Sequence, residues 1–594
     1  MTPEAWIVVG CVLGALVLFA SERLPPEGVG VLVLLVLGLT GVVDAPTALA
    51  GFASPAVITV AAMFILSAGL VEAGAPAALA SAIVRYGGTR VAVLTVLLVV
   101  VVGGMSAFIN NIAATVILMP AAVTLARAAD ASSSRLLMPL AFGSMLGGLM
   151  TLIGTPPNLL VSDALAAAGE RPFGMFDFAP TGAAILVAGL IYLVTVGRRL
   201  MPDRQGPDLE QNIAQTRDYT AEVRVPGGAR LAGKSLRELR WRPRFDVSVM
   251  EIFRDGRRLR FPNAEEALYV GDVVLVEGEP DDVLRLTQVE GVEFASERAW
   301  VPGRLQADDE EAEVLELIAG PRFSGLGRSI GAMRFRNRFG GLVLGVWRQG
   351  SHLRTRLRDQ RIEAGDVLMV RMPRGRVADL EQSTDFIVLS QRARAVIPRP
   401  RMLVPIAILV LTVGLAAANI AHIAVAGILG AVLMVVTRVL PYERIYAAVE
   451  WRTLVLIAAL LPLGTAMQTT GLAENLAQTV TEPLRPLGPY AVLAGIFILT
   501  SLLTQLMSNA AAVVLVAPIA LGIAASFGIA PHPVVMMVAI SGSTAFMTPI
   551  GHQSNVLIYN TGAFRFIDFI RVGGPLTLIV LMVSLIVVPI VWPL

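Results

Sequence analysis

The stretch SAFINNIAATVILMP, Ser106–Pro120, places two adjacent amide side chains, Asn110 and Asn111, inside an otherwise apolar segment. A matching stretch, TQLMSNAAAVVLVAP, begins 398 residues later at Thr504 (504 − 106). A hydroxyl residue opens each stretch, and two polar residues follow four positions further on. A single polar pair is usually explained as hydrogen-bonding glue between membrane helices. Two symmetric copies favour a binding function over packing alone.

A second motif follows each stretch. TLIGTPPN begins at Thr151, and TPIGHQSN begins at Thr548, 397 residues later (548 − 151). Pro156 and Pro157 have no backbone N–H, and the residue before a proline, here Thr155, is driven towards an extended conformation. The sequence therefore predicts that the helix breaks at this motif. Non-helical backbone at membrane depth survives only where protein or water covers it.

The composition excludes an ordinary soluble protein. Of the 594 residues, 55% are hydrophobic and 15% are charged, and the mean hydropathy is +0.70. A bilayer span needs about 20 mostly apolar residues, and several runs of this type predict an α-helical polytopic membrane protein. The runs are Ala5–Ala20, Val29–Val43, Ala56–Val71, Gly182–Val196, Leu403–Ala418, Ile423–Val436, Leu454–Leu461 with its flanks, and Leu576–Leu594.

A polar block interrupts the apolar pattern between Arg198 and Met402, and this block contains an internal repeat. Six residues of its first part recur in its second part at a constant spacing of 94 (327 − 233). They are Gly233, Phe245, Arg254, Gly256, Gly271 and Asp272, followed by Gly327, Phe339, Arg348, Gly350, Gly365 and Asp366. A constant spacing indicates two copies of one small domain, and short alternating runs in each copy indicate strands.

These patterns divide the chain into predicted domains. We expect membrane repeats at 1–200 and 402–594, small domains at 218–290 and 313–390, and linkers at 201–217, 291–312 and 391–401.

The arginines predict the orientation in the membrane. We count five full spans in each half, plus a re-entrant hairpin that holds the Asn motif. An odd number of spans makes the halves inverted repeats, which are typical of secondary transporters. Cytoplasmic loops are enriched in Lys and Arg, and with the N-terminus outside, the predicted inner loops hold Arg23, Arg85, Arg90, Arg127, Arg135, Arg198, Arg199, Arg438, Arg444, Arg452, Arg565 and Arg571. The predicted outer loops hold little beyond Arg171 and Arg485, so residues 201–401 are expected in the cytoplasm.

The polar groups of the hairpin tips and helix breaks predict an ion site. Carbonyl, hydroxyl and amide oxygens suit Na⁺, and helix N-termini suit an anion. No Asp or Glu occurs in the hairpins or at the breaks, which favours coupling to Na⁺ over H⁺. His552 is the one titratable residue of the motifs. It either donates to an anion or senses pH, or it only bonds backbone at the break.

Other classes of protein are not favoured. The sequence has no Walker-type phosphate loop, which argues against a pump driven directly by ATP. It also shows no nucleophile–base constellation and no metal-ligand cluster, so we do not expect an enzyme. We expect membrane lipid and a small anion as partners, and no nucleic acid.

The polar block resembles a known regulatory module. LAGKSLREL, FDVSVMEIFRDG and YVGDVVLVEG in the first copy are similar to the TrkA C-terminal (RCK-C) domain, a small β-rich α/β domain. SGLGRSIGAM, FGGLVLGVWRQG and EAGDVLMVRM resemble a second copy. The resemblance implies that the domains pair and bind a small regulatory ligand, such as a nucleotide. A spacer or dimerisation domain without a ligand is the alternative.

The membrane halves resemble the divalent anion/Na⁺ symporter family (solute carrier family 13, within the ion transporter superfamily). Members with RCK-C domains between the halves include sulfate-permease-like proteins. The resemblance implies an elevator-type homodimer, in which a transport domain moves against a scaffold formed by Val29–Val71 and Leu403–Leu461.

One departure from the family bears on the substrate. The family motif at each hairpin tip is Ser-Asn-Thr, and its side chains touch substrate carboxylates. Here the tips read Asn-Asn-Ile at Asn110–Ile112 and Ser-Asn-Ala at Ser508–Ala510. Both threonines are absent, which favours an anion other than a dicarboxylate.

The resemblance also implies which residues bind ions. One Na⁺ site would use Ser106, Asn110, Asn111 and the backbone at Gly154, and the other Thr504, Met507, Asn509 and the backbone from Thr548 to Gly551. The substrate would lie among Asn110, Asn111, Thr155, Ser508, Asn509, His552 and Asn555.

We therefore expect an inner-membrane symporter that couples Na⁺ to a small divalent anion, with sulfate favoured. A di- or tricarboxylate symporter of the same fold is the first alternative. A ligand-gated ion channel or membrane sensor is the alternative from another class, since RCK-C domains also occur with K⁺ channels. The sequence has no TVGYG filter, which disfavours a K⁺ pore.

Overall fold

The computed structural model describes residues 2–21, 24–204 and 402–594, and residues 219–388 of the polar block with gaps. The gaps in the block are 230, 255–256, 261, 279, 295–311, 321–322, 334, 349–350, 353–359, 374–379 and 381–384. Most of the three predicted linkers, together with Arg23, Gly256 and Gly350, lies outside the described residues.

The chain forms two compact units. The helical unit consists of Met1–Asp203, Ala393–Ile558 and Arg565–Leu594. The sheet unit consists of Arg204–Arg392 and Tyr559–Phe564.

The first half of the helical unit is a series of apolar helices, most of which have a proline at their first or second position. Proline is favoured in the first helical turn, where its missing N–H has no partner to lose. The helices are α1 (Pro3–Ser21), α2 (Pro26–Leu39), α3 (Ala45–Ala50), α4 (Pro55–Glu72), α5 (Ala75–Tyr86), α6 (Val91–Ser106), α7 (Asn111–Ala128), α8 (Ser134–Gly148), α9 (Pro156–Ala167) and α10 (Ala179–Tyr192). A 3-10 turn, Gly51–Ala53, joins α3 to α4, and a π turn, Leu193–Gly197, continues α10 into Arg198–Leu200.

The sheet unit contains two antiparallel sheets of five strands each. The elements of the first are β1 (Tyr219–Arg224), α11 (Leu236–Leu239), α12 (Trp241–Phe245), β2 (Ser248–Arg254), β3 (Arg257–Arg260), β4 (Val273–Gly278), α13 (Pro280–Glu290) and β5 (Glu293–Phe294). Those of the second are β6 (Ala312–Ala319), α14 (Ile330–Met333), α15 (Phe335–Phe339), β7 (Leu342–Arg348), β8 (Ser351–His352), β9 (Val367–Pro373) and β10 (Phe386–Val388). The first sheet ends at Phe294, beyond the predicted boundary at residue 290, because β5 pairs with β1.

The two sheets have the same topology. The strand order is β3-β2-β4-β1-β5 in the first and β8-β7-β9-β6-β10 in the second. Each carries an irregularity at the same place, between Val249 and Glu251 in β2 and between Val343 and Gly345 in β7. These positions are 94 residues apart, the spacing of the sequence repeat.

A buried ion pair explains why Arg and Asp recur in the block. Arg254 donates from Nε and Nη2 to the two carboxylate oxygens of Asp272, at 2.9 and 2.8 Å. Arg348 donates in the same way to Asp366, at 2.8 and 2.7 Å. Both aspartates are buried, and their hydrogen bonds raise the pKa of Arg254 and Arg348. Removing one partner would leave a buried, uncompensated charge.

The second half of the helical unit repeats the order of the first. Its helices are α16 (Leu403–Ala417), α17 (Ile423–Val436), α18 (Ile445–Ala448), α19 (Trp451–Thr469), α20 (Leu472–Leu484), α21 (Pro489–Leu503), α22 (Asn509–Phe527), α23 (Pro531–Gly542), α24 (Gln553–Thr561) and α25 (Phe566–Val591). Short 3-10 turns, Tyr442–Arg444 and Arg485–Leu487, precede α18 and α21.

Helices suited to a membrane are frequent in this unit. Among the described residues, six are long and apolar enough to cross a bilayer. They are Ala45–Glu72, Asn111–Ala128, Ala179–Leu200, Trp451–Thr469, Asn509–Phe527 and Phe566–Val591. Shorter apolar helices, among them α6, α16 and α23, accompany them. The largely α-helical architecture predicted for the two membrane halves is confirmed, with several apolar helices suited to a multi-pass membrane protein.

The two halves pack together around α8, which is buried along almost its whole length. The ring of Phe142 in α8 packs edge-on against Phe546 and Phe569 of the second half, at 5.1 and 6.3 Å between centroids. On its other side α8 packs against α6, where a Cβ atom on Gly147 would collide with the backbone of Gly103. Glycine permits this close approach, which sets the first hairpin directly against the broken helix.

Candidate functional site

The first hairpin tip is a short turn between α6 and α7. Asn110 caps α7, because its Oδ1 accepts a hydrogen bond of 2.8 Å from the N–H of Ile112. Asn111 is then the first residue of the helix and is buried. The two adjacent amides therefore have different positions, one as a cap and one inside the first turn.

The second hairpin tip has the same construction. Ser508 caps α22 through its hydroxyl, which accepts from the N–H of Ala511 at 3.4 Å. Asn509 is the first residue of α22. Asn and Ser are both favoured helix caps, which explains how the different residues Asn110 and Ser508 serve one structural purpose.

The first break separates α8 from α9. Thr155 has φ −141° and ψ 147°, which confirms the extended conformation expected before Pro156. The side chain of Asn158 bridges the break, since its amide donates to the carbonyl groups of Gly148 and Thr151 at 3.3 and 2.8 Å.

The second break, between α23 and α24, is bridged in the same manner. The amide of Asn555 donates to the carbonyl groups of Ala545 and Thr548, at 2.8 and 3.0 Å. His552 caps α24, because its Nδ1 accepts from the N–H of Ser554 at 3.1 Å. The helix-break bonding that the sequence left as one alternative for His552 is thus present.

A hydroxyl in each break binds the tip of its own half. Thr151 donates to the carbonyl oxygen of Ala107. Thr548, 397 residues later, lies 3.5 Å from the carbonyl oxygen of Gln505 and 3.2 Å from its side-chain oxygen. Each tip and its break are therefore joined within one half of the chain.

A hydroxyl pair joins the two halves. Oγ1 of Thr155 lies 3.1 Å from Oγ of Ser543, and both residues are buried. Since the first comes from one break and the second from the other, this contact sets the breaks side by side.

Both tips and both breaks line one cavity of about 720 Å³. Of the residues predicted to contact substrate, six form part of its wall: Asn110, Asn111, Thr155, Ser508, Asn509 and His552. The seventh, Asn555, is fully buried behind the wall, where its amide is used by the break. Of the predicted Na⁺ ligands, Gly154, Met507 and Gly551 also reach the cavity, whereas Ser106, Thr504 and Thr548 lie behind it.

The first half offers oxygens without partners. Oγ of Ser106 and Oδ1 of Asn111 are buried and have no hydrogen-bond partner in the part of the chain that the structure describes. A buried polar atom without a partner costs about 1–3 kcal/mol, so a bound cation would restore what these atoms lack. The oxygens of this site fit Na⁺.

The second half gathers a comparable set of oxygens. Oγ1 of Thr504 lies 2.8 Å from Oδ1 of Asn509 and 2.9 Å from the carbonyl oxygen of Gly542. Among the described residues, no group of three or more His, Cys, Asp or Glu side chains is placed to hold a metal ion. A cation in this region would therefore depend on neutral oxygens.

The electrostatics of the cavity suit an anion. Five of the described helices, α2, α7, α9, α22 and α24, begin at its wall, and a helix N-terminus carries a partial positive charge. The described wall contains no Lys or Arg, and its titratable side chains are those of Glu450 and His552. Attraction of an anion thus rests on helix ends and neutral donors.

Four polar wall residues were not predicted as site residues: Glu450, Thr453, Gln505 and Gln553. The repeat gave no signal for Gln505, because its counterpart Ala107 is apolar. Gln553 stands where the first half has Pro156 (553 − 156 = 397), and only a comparison of the two breaks would have marked it.

A model of a protein family described as citrate transporter matches residues 16–541 of the chain. The match includes both hairpin tips and the first break, and it ends within α23.

Individual relatives agree with the family match. An uncharacterized transporter of Synechocystis sp. is 32% identical over 99% of this chain and 97% of its own length. The uncharacterized transporter YfbS of Escherichia coli is 31% identical over 100% of both chains. A probable sodium/sulfate cotransporter of Chlamydomonas reinhardtii is 26% identical over 45% of this chain and 31% of that protein.

Proposed function

The chain belongs to the citrate transporter family, and from this premise we propose that it is a secondary active transporter that couples a small divalent anion to Na⁺, with sulfate favoured. The observation that carries the proposal is the single cavity lined by both hairpin tips and both helix breaks. Because the family is one of transporters, a transporter is favoured over the alternative of a ligand-gated channel or membrane sensor.

An inverted repeat is the proposed basis of alternating access. Each half contains the same bond at a matching position: Thr151 to Ala107 in the first and Thr548 to Gln505 in the second. The side chains of Asn158 and Asn555 also bond matching carbonyl groups, each within its own half. Inverted repeats allow one domain to rock or move against the other around a fixed site. In the elevator mechanism that the resemblance implies, the hairpins and broken helices move together against the scaffold.

Two Na⁺ sites are proposed, one in each half. The first uses Ser106 and Asn111 with the backbone at Gly154, and its unpartnered oxygens support it. The second uses the oxygen cluster of Thr504 and Asn509. Asn110 at the first site, and Met507 with the backbone from Thr548 to Gly551 at the second, complete the two sets by resemblance.

The anion is proposed to bind in the cavity, near the Asn-Asn and Ser-Asn tips. Sulfate is favoured because Ile112 and Ala510 replace the hydroxyls that touch carboxylates in related symporters. A relative named as a probable sodium/sulfate cotransporter supports the same substrate. Without a Lys or Arg in the described wall, helix ends and neutral donors would hold the anion.

A di- or tricarboxylate is the second candidate. The matching family is described as citrate transporter. The cavity of about 720 Å³ is also larger than sulfate requires. The substrate is thus a question that uptake measurements decide.

The cavity is proposed to open to the cytoplasm. Its wall includes Leu24–Pro26 between α1 and α2, and Glu450 with Thr453 at the start of α19. The arginine distribution assigns both places to the inner side, since Arg23 and Arg452 lie beside them. The state described is then inward-open.

The sheet unit is proposed as a cytoplasmic regulator. Its two sheets of equal topology support a tandem pair, and the RCK-C resemblance supports a small ligand such as a nucleotide. Homodimer formation through the scaffold and residence in the inner membrane rest on the resemblance to elevator symporters.

The direct test is uptake into proteoliposomes. Labelled sulfate and labelled citrate are supplied separately, with a Na⁺ gradient and with a K⁺ gradient of equal size. We expect Na⁺-dependent accumulation of sulfate above that of citrate. Accumulation of citrate alone would select the second candidate, and uptake that ignores Na⁺ for both anions would refute the coupling.

A further inference from the structure

The two helix breaks offer different hydrogen-bond donors to the cavity. At the first break, Pro156 and Pro157 occupy the first two positions of α9 and have no N–H. The next N–H, that of Asn158, donates to the carbonyl oxygen of Thr155 at 3.2 Å. The Thr155 hydroxyl is paired with Ser543. The first break therefore supplies a helix dipole and no free donor in its first turn.

The second break has donors at the matching positions. Gln553 is the first residue of α24, so its N–H has no acceptor within the helix. Its side chain is exposed and lies in the cavity wall. A glutamine thus provides a backbone N–H and an amide group where Pro156 provides neither.

The cap that His552 makes fixes its tautomer. The N–H of Ser554 can only donate, so Nδ1 of His552 accepts and carries no proton in the neutral ring. The proton is then on Nε2, which has no hydrogen-bond partner among the described residues. The ring lines the cavity and presents an uncharged N–H donor.

The first half offers acceptors without partners instead. Oδ1 of Asn111 belongs to a wall residue that is 5% exposed, and it has no partner. Among the described residues, Oγ of Ser106 is also buried and unpartnered. Acceptors repel an anion, whereas the second break presents donors, so an anion in the cavity is favoured against the second break.

We propose that the transported anion binds off-centre, against the second break, with Nε2 of His552 and the amide groups of Gln553 as its specificity-determining donors. The inference rests on the proposed function and adds Gln553, which has no counterpart in the first half. It also gives His552 a role beyond capping, as a neutral donor that selects a fully ionised oxyanion.

Matched substitutions separate the cap from the donor. His552→Asn keeps a side-chain oxygen that caps α24 and removes the Nε2 donor. His552→Gln returns an N–H near the position of Nε2. Gln553→Pro copies the first break, and proline is tolerated at the first helical position.

His422 supplies the control. It caps α17 through Nδ1, which accepts from the N–H of Ala424 at 3.2 Å, and it is not part of the cavity wall. His422→Asn makes the same chemical change as His552→Asn, away from the proposed anion site.

The readouts are the KM for sulfate and for citrate, kcat, and the Na⁺ concentration that gives half-maximal uptake. We expect His552→Asn and Gln553→Pro each to raise the anion KM by about tenfold or more, the usual effect of losing a hydrogen bond to a charged group. The Na⁺ response should be unchanged, His552→Gln should recover part of the loss, and His422→Asn should behave as wild type. An anion KM within twofold of wild type in both His552→Asn and Gln553→Pro would overturn the proposal, as would a shift confined to the Na⁺ response.

Thermal unfolding keeps this test separate from the test of coupling. Sulfate, phosphate, succinate or citrate should raise the Tm of the wild-type protein, and the increase should shrink in His552→Asn and Gln553→Pro. If anions stabilise the protein but Na⁺ drives no uptake, Na⁺-coupled symport is refuted, and His552 and Gln553 are supported as donors to the anion. A wild-type Tm that none of the four anions changes would overturn both proposals.

Discussion

The hydroxyl of Thr504 lies 2.8 Å from Oδ1 of Asn509. The same hydroxyl lies 2.9 Å from the carbonyl oxygen of Gly542, so a loop, a helix start and a helix end contribute one oxygen each. In the proposed second Na⁺ site, these neutral oxygens would surround the cation without any charged side chain.

Replacing Thr504 by Val should weaken Na⁺ binding. The substitution keeps the shape and removes one proposed ligand, so we expect the half-activating Na⁺ concentration to rise about tenfold, equivalent to about 1.4 kcal/mol. Uptake measured as a function of Na⁺ concentration checks this. Thr500→Val is the matched control, because Thr500 is buried one turn earlier and bonds only its own helix at Ile496. Equal Na⁺ responses in the two variants would show that Thr504 is not a Na⁺ ligand.

Ser106→Ala should have opposite effects with and without Na⁺. Its hydroxyl is buried without a partner, so removing it should leave stability unchanged or raise it by up to about 1 kcal/mol in Na⁺-free buffer. The stabilisation that Na⁺ adds should fall at the same time. The measurement is Tm in Na⁺ and in choline.

Ser501 provides the comparison for this experiment. Its hydroxyl is likewise buried and unpartnered, but it is not among the proposed ligands. Ser501→Ala should retain the full Na⁺-dependent rise in Tm. If Ser106→Ala retains it as well, the first site is placed wrongly.

Asn111→Ala and Asn509→Ala should each abolish Na⁺-driven uptake. Each removes the amide oxygen at the start of a hairpin helix, and each site would lose a ligand that no neighbour replaces. Uptake of labelled sulfate in proteoliposomes, with protein folding checked by size-exclusion chromatography, is the assay. Normal uptake by both variants would show that these amides serve helix packing and do not bind Na⁺.

Restoring hydroxyls at the tips should change the substrate preference. Ile112 and Ala510 both line the cavity, and the double variant Ile112→Thr, Ala510→Thr offers two new donors for carboxylates. We expect the ratio of kcat/KM for succinate to that for sulfate to rise by about 10- to 100-fold, the range for gained polar contacts. An unchanged ratio would mean that the tips do not set the preference.

Deleting Arg204–Arg394 should leave transport intact and alter its regulation. None of the residues described in the sheet unit lines the cavity, so the shortened chain should retain Na⁺-dependent uptake. Uptake with and without added nucleotide compares the regulation of the two proteins. Loss of uptake in a folded, monodisperse variant would show that the block is part of the transport machinery.

The broken helices were predictable because they follow from local chemistry. Pro156 and Pro157 exclude a continuous helix whatever surrounds them, and Thr155 has the extended backbone that this implies. The resemblance to a family of anion symporters, carried by the same motifs, is confirmed by the match over residues 16–541.

Local chemistry was a poor guide where tertiary packing decides. The apolar run predicted at Leu454–Leu461 with its flanks lies within α19, but Pro462 in the following flank gives no local sign that α19 continues through it to Thr469. Neighbouring helices in a membrane protein can satisfy the backbone groups that a proline frees, so its usual helix-breaking effect was overridden.

Contacts across long sequence distances were also not predictable. Glu450 reaches the cavity from the start of α19, and nothing in its neighbourhood resembles a tip or a break. Asn555 shows the converse, since its motif position indicated a substrate contact while its amide is used by two carbonyl groups of the break.

The hydroxyl pair of Thr155 and Ser543 has a consequence for biosynthesis. Its members are 388 residues apart in the chain, and ribosomes add about 5–20 residues per second. The first break therefore enters the bilayer roughly 20–80 seconds before its partner is made. During that interval the nascent first half holds an exposed polar break in lipid, and its maturation depends on the late arrival of the second.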